Sequence, residues 1–245
     1  MRATGVALRL DRARLGADPA LAPFLVRPDL RLPRRAAASG LAPLDAILGG
    51  GFPRGRISEL VGSRTSGRTR LLLASLAQAT GRGALAALVD VADSLDPMSA
   101  AAVGVDLPRL LWVRCGGRLR LAWSAADILA RGGGFDVIAV DLGDGPAWRL
   151  ARVPSTTLVR LQCAVEGTPT VLLLAGPRGV AGSFAALTVA LGRGVPRWAP
   201  SGPASLLLHG LETEACLVRV RDRTPGATAR LVWGIDGTAP AAGAG

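Results

Sequence analysis

The sequence contains no lysine, no asparagine, no tyrosine and a single histidine, His209. One imidazole argues against a His-based triad and against a multi-histidine metal site. Aromatic residues make up only 4% of the chain. The tryptophans, Trp112, Trp123, Trp148, Trp198 and Trp233, are too scattered for a base-stacking platform and are expected as core or interface anchors. Cys115, Cys163 and Cys216 are an odd, widely spaced set. They suit a reducing cytoplasm, with all three expected in the core. No apolar run reaches about 18 residues, the length a membrane helix needs. The longest candidate, 71–91, is interrupted by Gln78, Arg82 and two glycines. Residues 1–15 alternate charged and apolar residues without an apolar h-region, so a secretory signal is not expected.

What remains is an Arg-, Ala- and Gly-rich chain of 245 residues, 49% hydrophobic and 19% charged. That composition buries a core and fits one sizeable α/β domain with an appendage. All 29 basic residues are arginine and the formal net charge is +11. The charge permits contact with nucleic acid or an acidic protein without requiring either. Residues 1–38 read as a helix followed by an Arg/Pro-rich linker, residues 39–200 as the core, 201–237 as antiparallel strands of the same domain, and 238–245 as a disordered tail. Within the core, strand-like runs at 57–61, 84–91, 110–115, 136–140 and 170–175 alternate with helical patterns at 69–80, 123–130 and 155–165. Such alternation predicts a mostly parallel sheet covered on both faces. Later strands are expected at 204–208, 216–221 and 229–233, with a turn at Thr224-Pro225-Gly226. Gly132-Gly133-Gly134 reads as a helix stop.

The most informative segment is Gly62-Ser63-Arg64-Thr65-Ser66-Gly67-Arg68-Thr69. It nearly matches the phosphate loop G-x-x-x-x-G-K-[ST] and lies between a strand and an amphipathic helix. The two glycines let backbone N–H groups turn inward, and the helix N-terminus adds partial positive charge. Thr69 stands where a hydroxyl would ligate Mg²⁺. Arg68 departs from the pattern, because a planar guanidinium replaces a thin-stemmed ammonium. The apolar strand ending at Asp141 has the form whose carboxylate holds the Mg²⁺ water shell. Arg31, Arg34, Arg35, Arg54 and Arg56 form a basic cluster that is either a solvated linker or a contact for DNA or an acidic partner. Arg219, Arg221, Arg223 and Arg230 are placed on one hairpin, either to bind DNA or to guard a sheet edge.

The run from Ser39 to Gly62, S-G-L-A-P-L-D-A-I-L-G-G-G-F-P-R-G-R-I-S-E-L-V-G, resembles the entry to the core of the bacterial recombinase RecA. The segment 89–97, V-D-V-A-D-S-L-D-P, is similar to that family's "ID-x-E-x-x-LDP" stretch, and 102–106 is similar to its "LGVD" turn. The resemblance covers residues 39–176 and implies a RecA-like core. It also makes the departures informative. The position of the family's catalytic glutamate is occupied by Ala92, and a methyl group cannot act as a general base. The adjacent Asp93 is out of phase. The sensor glutamine is replaced in the run Ala175-Gly176-Pro177, and the adenine-stacking tyrosine maps near Ser99. The DNA-binding loops look shortened. Asp96, which would contact the adenine amino group, is kept. Recombinase-type ATP hydrolysis is therefore expected to be lost or very slow, leaving no catalytic residue.

A small RecA-like chain with such a site and a strand-rich C-terminus resembles the ImuA family, also labelled SulA-like. That resemblance implies a cytoplasmic role in the SOS response, in damage-induced translesion synthesis and mutagenesis. Its implied partners are ImuB, an error-prone C-family DNA polymerase and RecA itself. Three functions stay open: a non-catalytic adaptor needing no cofactor, a switch or weak ATPase binding ATP and Mg²⁺, and a cell-division inhibitor.

Overall fold

The computed structural model describes residues 36–145, 153–202, 205–221 and 224–234. Residues 1–35 of the expected N-terminal helix and linker (1–38), including Arg31, Arg34 and Arg35, and the tail beyond 237 lie outside them, as do Trp148 and Arg223. The strands are β1 (Ala36–Ala37), β2 (Phe52–Pro53), β3 (Ile57–Val61), β4 (Leu85–Asp90), β5 (Leu110–Arg114), β6 (Phe135–Asp141), β7 (Val171–Gly176), β8 (Ala185–Leu191), β9 (Val195–Gly202), β10 (Ser205–Val220) and β11 (Thr228–Gly234). The helices are α1 (Ala42–Leu48), α2 (Arg68–Thr80), α3 (Pro97–Ala102), α4 (Leu119–Gly132) and α5 (Ser155–Val165).

The main sheet runs β11-β10-β8-β3-β7-β6-β4-β5, with β9 pairing only β10. The strands from β8 to β5 are mutually parallel, and β10 and β11 extend them antiparallel. The fold is thus the expected α/β architecture with antiparallel strands at the C-terminus. Its central strands are apolar throughout because both faces are covered. In β4, Ala86 and Leu88 face the cluster that holds Leu71, Leu72 and Leu76 of α2, while Ala87 and Val89 face Trp123 and Ala126 of α4 and Leu161 of α5. Helix α4 stops at Gly132, with Gly133 at φ 67° as its cap. That left-handed turn accounts for the glycine run.

The C-terminal half departs from the sequence reading, which places no strand at β8 or β9. The runs expected at 204–208 and 216–221 are parts of a single 16-residue strand, β10. Strands β8 and β9 run along it in succession, separated by residues 192–194, and pair with its two ends. The polar centre of β10, which resembles a loop in sequence, is strand because it is hydrogen-bonded to β11 from Gly210 to Cys216.

Two other expectations are corrected. Cys115 is buried, but Cys163 is exposed and Cys216 half-buried, since Cys163 falls on the outer face of α5. Burial pushes the Cys115 thiol up, which keeps it protonated and unreactive. Arg54 does not join a solvated basic cluster. It is 11% exposed and pairs with Asp136 at 2.6 Å, while also donating to the Pro169 carbonyl.

Candidate functional site

All the parallel strands point their carboxyl ends to one edge of the sheet, where open α/β folds place ligands. Strand β3 delivers the loop 62–67, β4 ends at Asp90, β6 at Asp141 and β7 at Gly176. The loop is tied to the sheet by the Gly62 N–H donating to Gly176 O at 3.1 Å. Inside it, Ser66 donates to Ser63 O through both its N–H (3.0 Å) and its hydroxyl (2.7 Å). Gly67 caps α2 at φ 82°, a left-handed conformation that lets the helix start abruptly.

The C-terminal strands clamp this loop from outside. The Gly194 N–H, between β8 and β9, donates to Thr65 O at 3.1 Å. The Trp233 ring of β11 lies directly against Gly67, and a Cβ there would meet two ring carbons at 2.5 and 2.6 Å. Trp233 itself is buried.

Arg68 is the centre of the site. Its side chain is 3% exposed. It turns back across the loop, donating from Nη1 to Gly62 O at 2.5 Å and from Nη2 to Asp144 Oδ1 at 3.0 Å and Gly143 O at 3.4 Å. Its Nε is buried and has no partner. Arg64, largely exposed, reaches the other oxygen of Asp144 at 3.4 Å. Ser63, Thr65 and Thr69 are exposed on the same loop and first helical turn, whereas Ser66 is buried.

Asp141 is buried, and its Oδ1 accepts the Gly143 N–H at 2.9 Å. Burial pushes its carboxyl up. The Gly143 N–H and the Arg68 guanidinium oppose this, and the Asp90 and Asp144 carboxylates reinforce it. Asp90 is paired in register with Asp141 across β4 and β6. Its Oδ2 accepts the N–H groups of Ser94 and Leu95 and the Trp112 indole, and its Oδ1 is buried without a partner. Because folded Asp141 holds its proton more tightly than the unfolded chain does, it favours the fold at low pH. That contribution is lost as pH rises through its native value. Asp141→Asn is therefore expected to raise Tm at about pH 7 and to flatten the stability profile between about pH 4 and pH 7. Thermal denaturation across that range checks both.

The remaining sequence-derived positions fall around this edge. Ala92 lies just beyond β4, and a Cβ on Gly143 would meet its methyl at 2.9 Å. Asp93 adopts φ 62° and is turned to Arg114, which grips it through both carboxylate oxygens at 2.7 and 2.8 Å and holds its carboxyl below the usual range. Asp96 caps α3, accepting from Met98 N and from the N–H and hydroxyl of Ser99. Those bonds lower its pKa. The sequence reading missed Asp144, Gly194 and Trp233. Asp144 sits in Leu142-Gly143-Asp144-Gly145, where flanking glycines suggest only a turn; the other two come from strands that reach the loop through the sheet order alone.

Residues 31–146 match the family model described as RecA N-terminal domain. The chain is 38% identical over 157 residues to Protein RecA of Corynebacterium jeikeium (strain K411), covering 58% of this chain and 42% of that protein. It is 34% identical over 150 residues to Protein RecA of Francisella philomiragia, covering 55% of this chain and 41% of that protein. The alignments thus span about two fifths of these curated relatives. The crystal structure of the RadB recombinase shares the fold, with a TM-score of 0.58 at 18% identity, over 80% of this chain and 94% of that one. The matched stretch contains the loop 62–69 and Asp141, so over these residues the chain is similar to the RecA N-terminal domain, and its fold is that of the RadB recombinase.

Proposed function

We propose that this chain is a non-hydrolysing RecA-type adaptor of the ImuA kind, acting in damage-induced translesion synthesis. In this reading it joins ImuB to an error-prone C-family DNA polymerase, with RecA as a further partner. The observation that carries the reading is the β9–β10 ribbon. Among the described residues, β10 has no neighbour on its β11 side N-terminal to Gly210, and β9 pairs nothing but β10. Trp198 pairs in register with Leu208, and Pro200 with Leu206, so these side chains share one face. Trp198 is 57% exposed, Leu206 64% and Leu208 43%. An isolated two-stranded ribbon is marginal in water, and a contiguous apolar face of this kind marks a protein-binding surface. Pro196 and Pro200 remove N–H donors from β9, which discourages indiscriminate strand pairing there.

Loss of hydrolysis fits the adaptor reading. Ala92 offers no base, Asp93 is held by Arg114, and Asp90 spends one oxygen on backbone amides. ATP turnover is expected to be no faster than in an Asp141→Ala control. Co-purification with ImuB and the polymerase tests the main claim. Replacing both Trp198 and Leu206 by Asp should weaken capture at least tenfold while moving Tm by about 2 °C or less, because exposed positions carry little stability. Undiminished capture by that double variant would sink the docking assignment.

A second reading is a nucleotide-binding switch. It is favoured by the retained loop geometry and by Arg68, buried beside a helix N-terminus. Residues 62–69 would hold the phosphates, Asp96 would face the adenine, and Thr69 with Asp141 would hold Mg²⁺. That cation would supply the positive charge that buried Asp141 otherwise lacks. The cell-division-inhibitor reading draws support from none of the described residues.

A further inference from the structure

The phosphate loop holds an anion of its own. The Asp144 carboxylate receives Arg68 on one oxygen and Arg64 on the other, so two arginines of one loop converge on a single carboxylate. Asp144 arrives from the loop that follows β6, and its side chain is 26% exposed. The adjacent Gly143 carbonyl takes a second N–H of the Arg68 guanidinium. Arg68 Nε, buried and unpartnered, shows that this cation is not saturated by the protein's own acceptors.

We propose that Asp144 is a built-in substitute for a phosphate. It occupies the loop's arginines in the free protein and must be displaced before a polyphosphate can bind. The proposal rests on the reading of residues 62–69 as an anion-binding loop. A carboxylate and a phosphate can each accept two parallel N–H bonds from the planar guanidinium fork, so they compete for the same donors. The phosphate offers more charge and more acceptor oxygens, but the carboxylate is tethered and always present. A ligand that binds only the released state has its apparent Kd raised by the inverse of that state's population. The device therefore sets a threshold: low concentrations of polyphosphate leave the loop closed, and high concentrations open it.

Removing the carboxylate also takes away the counter-charge that buried Arg68 pairs with directly, which destabilises the fold until an external anion replaces it. The full-length chain is compared with Asp144→Ala, Asp144→Asn and Arg68→Ala by thermal denaturation in buffer free of phosphate and sulfate. Inorganic tripolyphosphate is the probe. Asp144→Ala is expected to melt below wild type, and to be restored by tripolyphosphate at a concentration at least tenfold lower than any that shifts wild type. Asp144→Asn keeps the shape without the charge and should show the same gain in sensitivity, so the test survives a poorly folding alanine variant. Arg68→Ala should abolish the response, which separates the loop from general attraction to a cationic protein. Equal sensitivity of wild type and both Asp144 variants overturns the proposal, and so does the absence of any response. A parallel titration with ATP and Mg²⁺ addresses the nucleotide reading by itself. If tripolyphosphate restores the variants and ATP does not, the loop is a gated anion site and the nucleotide assignment fails.

Discussion

Gly67→Ala is expected to lower Tm by about 6–12 °C, a loss of about 3 kcal/mol. Two costs add. The residue caps α2 at φ 82°, a left-handed conformation that costs a residue with a Cβ about 1–2 kcal/mol. The new methyl would also meet two carbons of the Trp233 ring at 2.5 and 2.6 Å. The ring has little room to retreat, since it is 4% exposed and belongs to the buried cluster that also contains Leu44 and Leu48 of α1. Overpacking of this kind typically adds about 1–3 kcal/mol. The two costs are separable. In a double-mutant cycle with Trp233→Leu, the steric part should disappear and the left-handed part remain, giving a coupling of about 1 kcal/mol or more. A Tm within 2 °C of wild type for the single variant would mean that the ring does not seat on the loop.

Glu59→Ala is expected to cost about 4 kcal/mol, because it strips acceptors from several buried donors at once. Glu59 sits in β3 at 3% exposure. Its Oε1 accepts the N–H groups of Val180 and Ala181 at 2.6 and 2.7 Å, and its Oε2 accepts the Thr188 hydroxyl at 3.2 Å. The carboxylate thus pins the connection from β7 to β8 and sets the position of β8, the strand that leads to the loop-clamping residues 192–194. Glu59→Gln keeps one carbonyl oxygen for the two amides and should lose only about 1–2 kcal/mol, the charge-assisted part of those bonds. Calorimetry gives the ranking. Amide hydrogen exchange should show protection at Val180 and Ala181 collapsing in the alanine variant and surviving in the glutamine one.

The elements read correctly from the sequence are those whose signal is local. Helix α5 was placed at Ser155–Val165, the bounds that the structure shows. Strands β3, β4, β6 and β7 were read to within a residue or two, because a strand covered on both faces is an uninterrupted apolar run. Strands β8 and β9 went unread. Ala185–Leu191 lies between glycine-rich segments, and Val195–Gly202 carries two prolines, an arginine and a glycine, so neither has a strand's usual composition. Strand β8 is held between β3 and β10, and β9 exists because long β10 offers it an antiparallel edge. The phosphate loop was legible for the opposite reason: its glycines, its hydroxyls and the helix that follows are consecutive in the chain.

The local pattern of residues therefore determined that a strand, a glycine-bounded loop and a helix follow one another at residues 57–80, and that they belong to a mostly parallel sheet. The tertiary structure alone decided what occupies and surrounds that loop. Arg68 meets Asp144 across 76 positions of sequence, Trp233 comes back from β11 to close over Gly67, and the apolar β9–β10 ribbon is exposed among the described residues. Backbone conformation is encoded by near neighbours, through φ preferences and apolar periodicity. The pairing of a buried charge or the seating of a ring depends on which strands lie side by side, and that order is settled only when the whole sheet assembles.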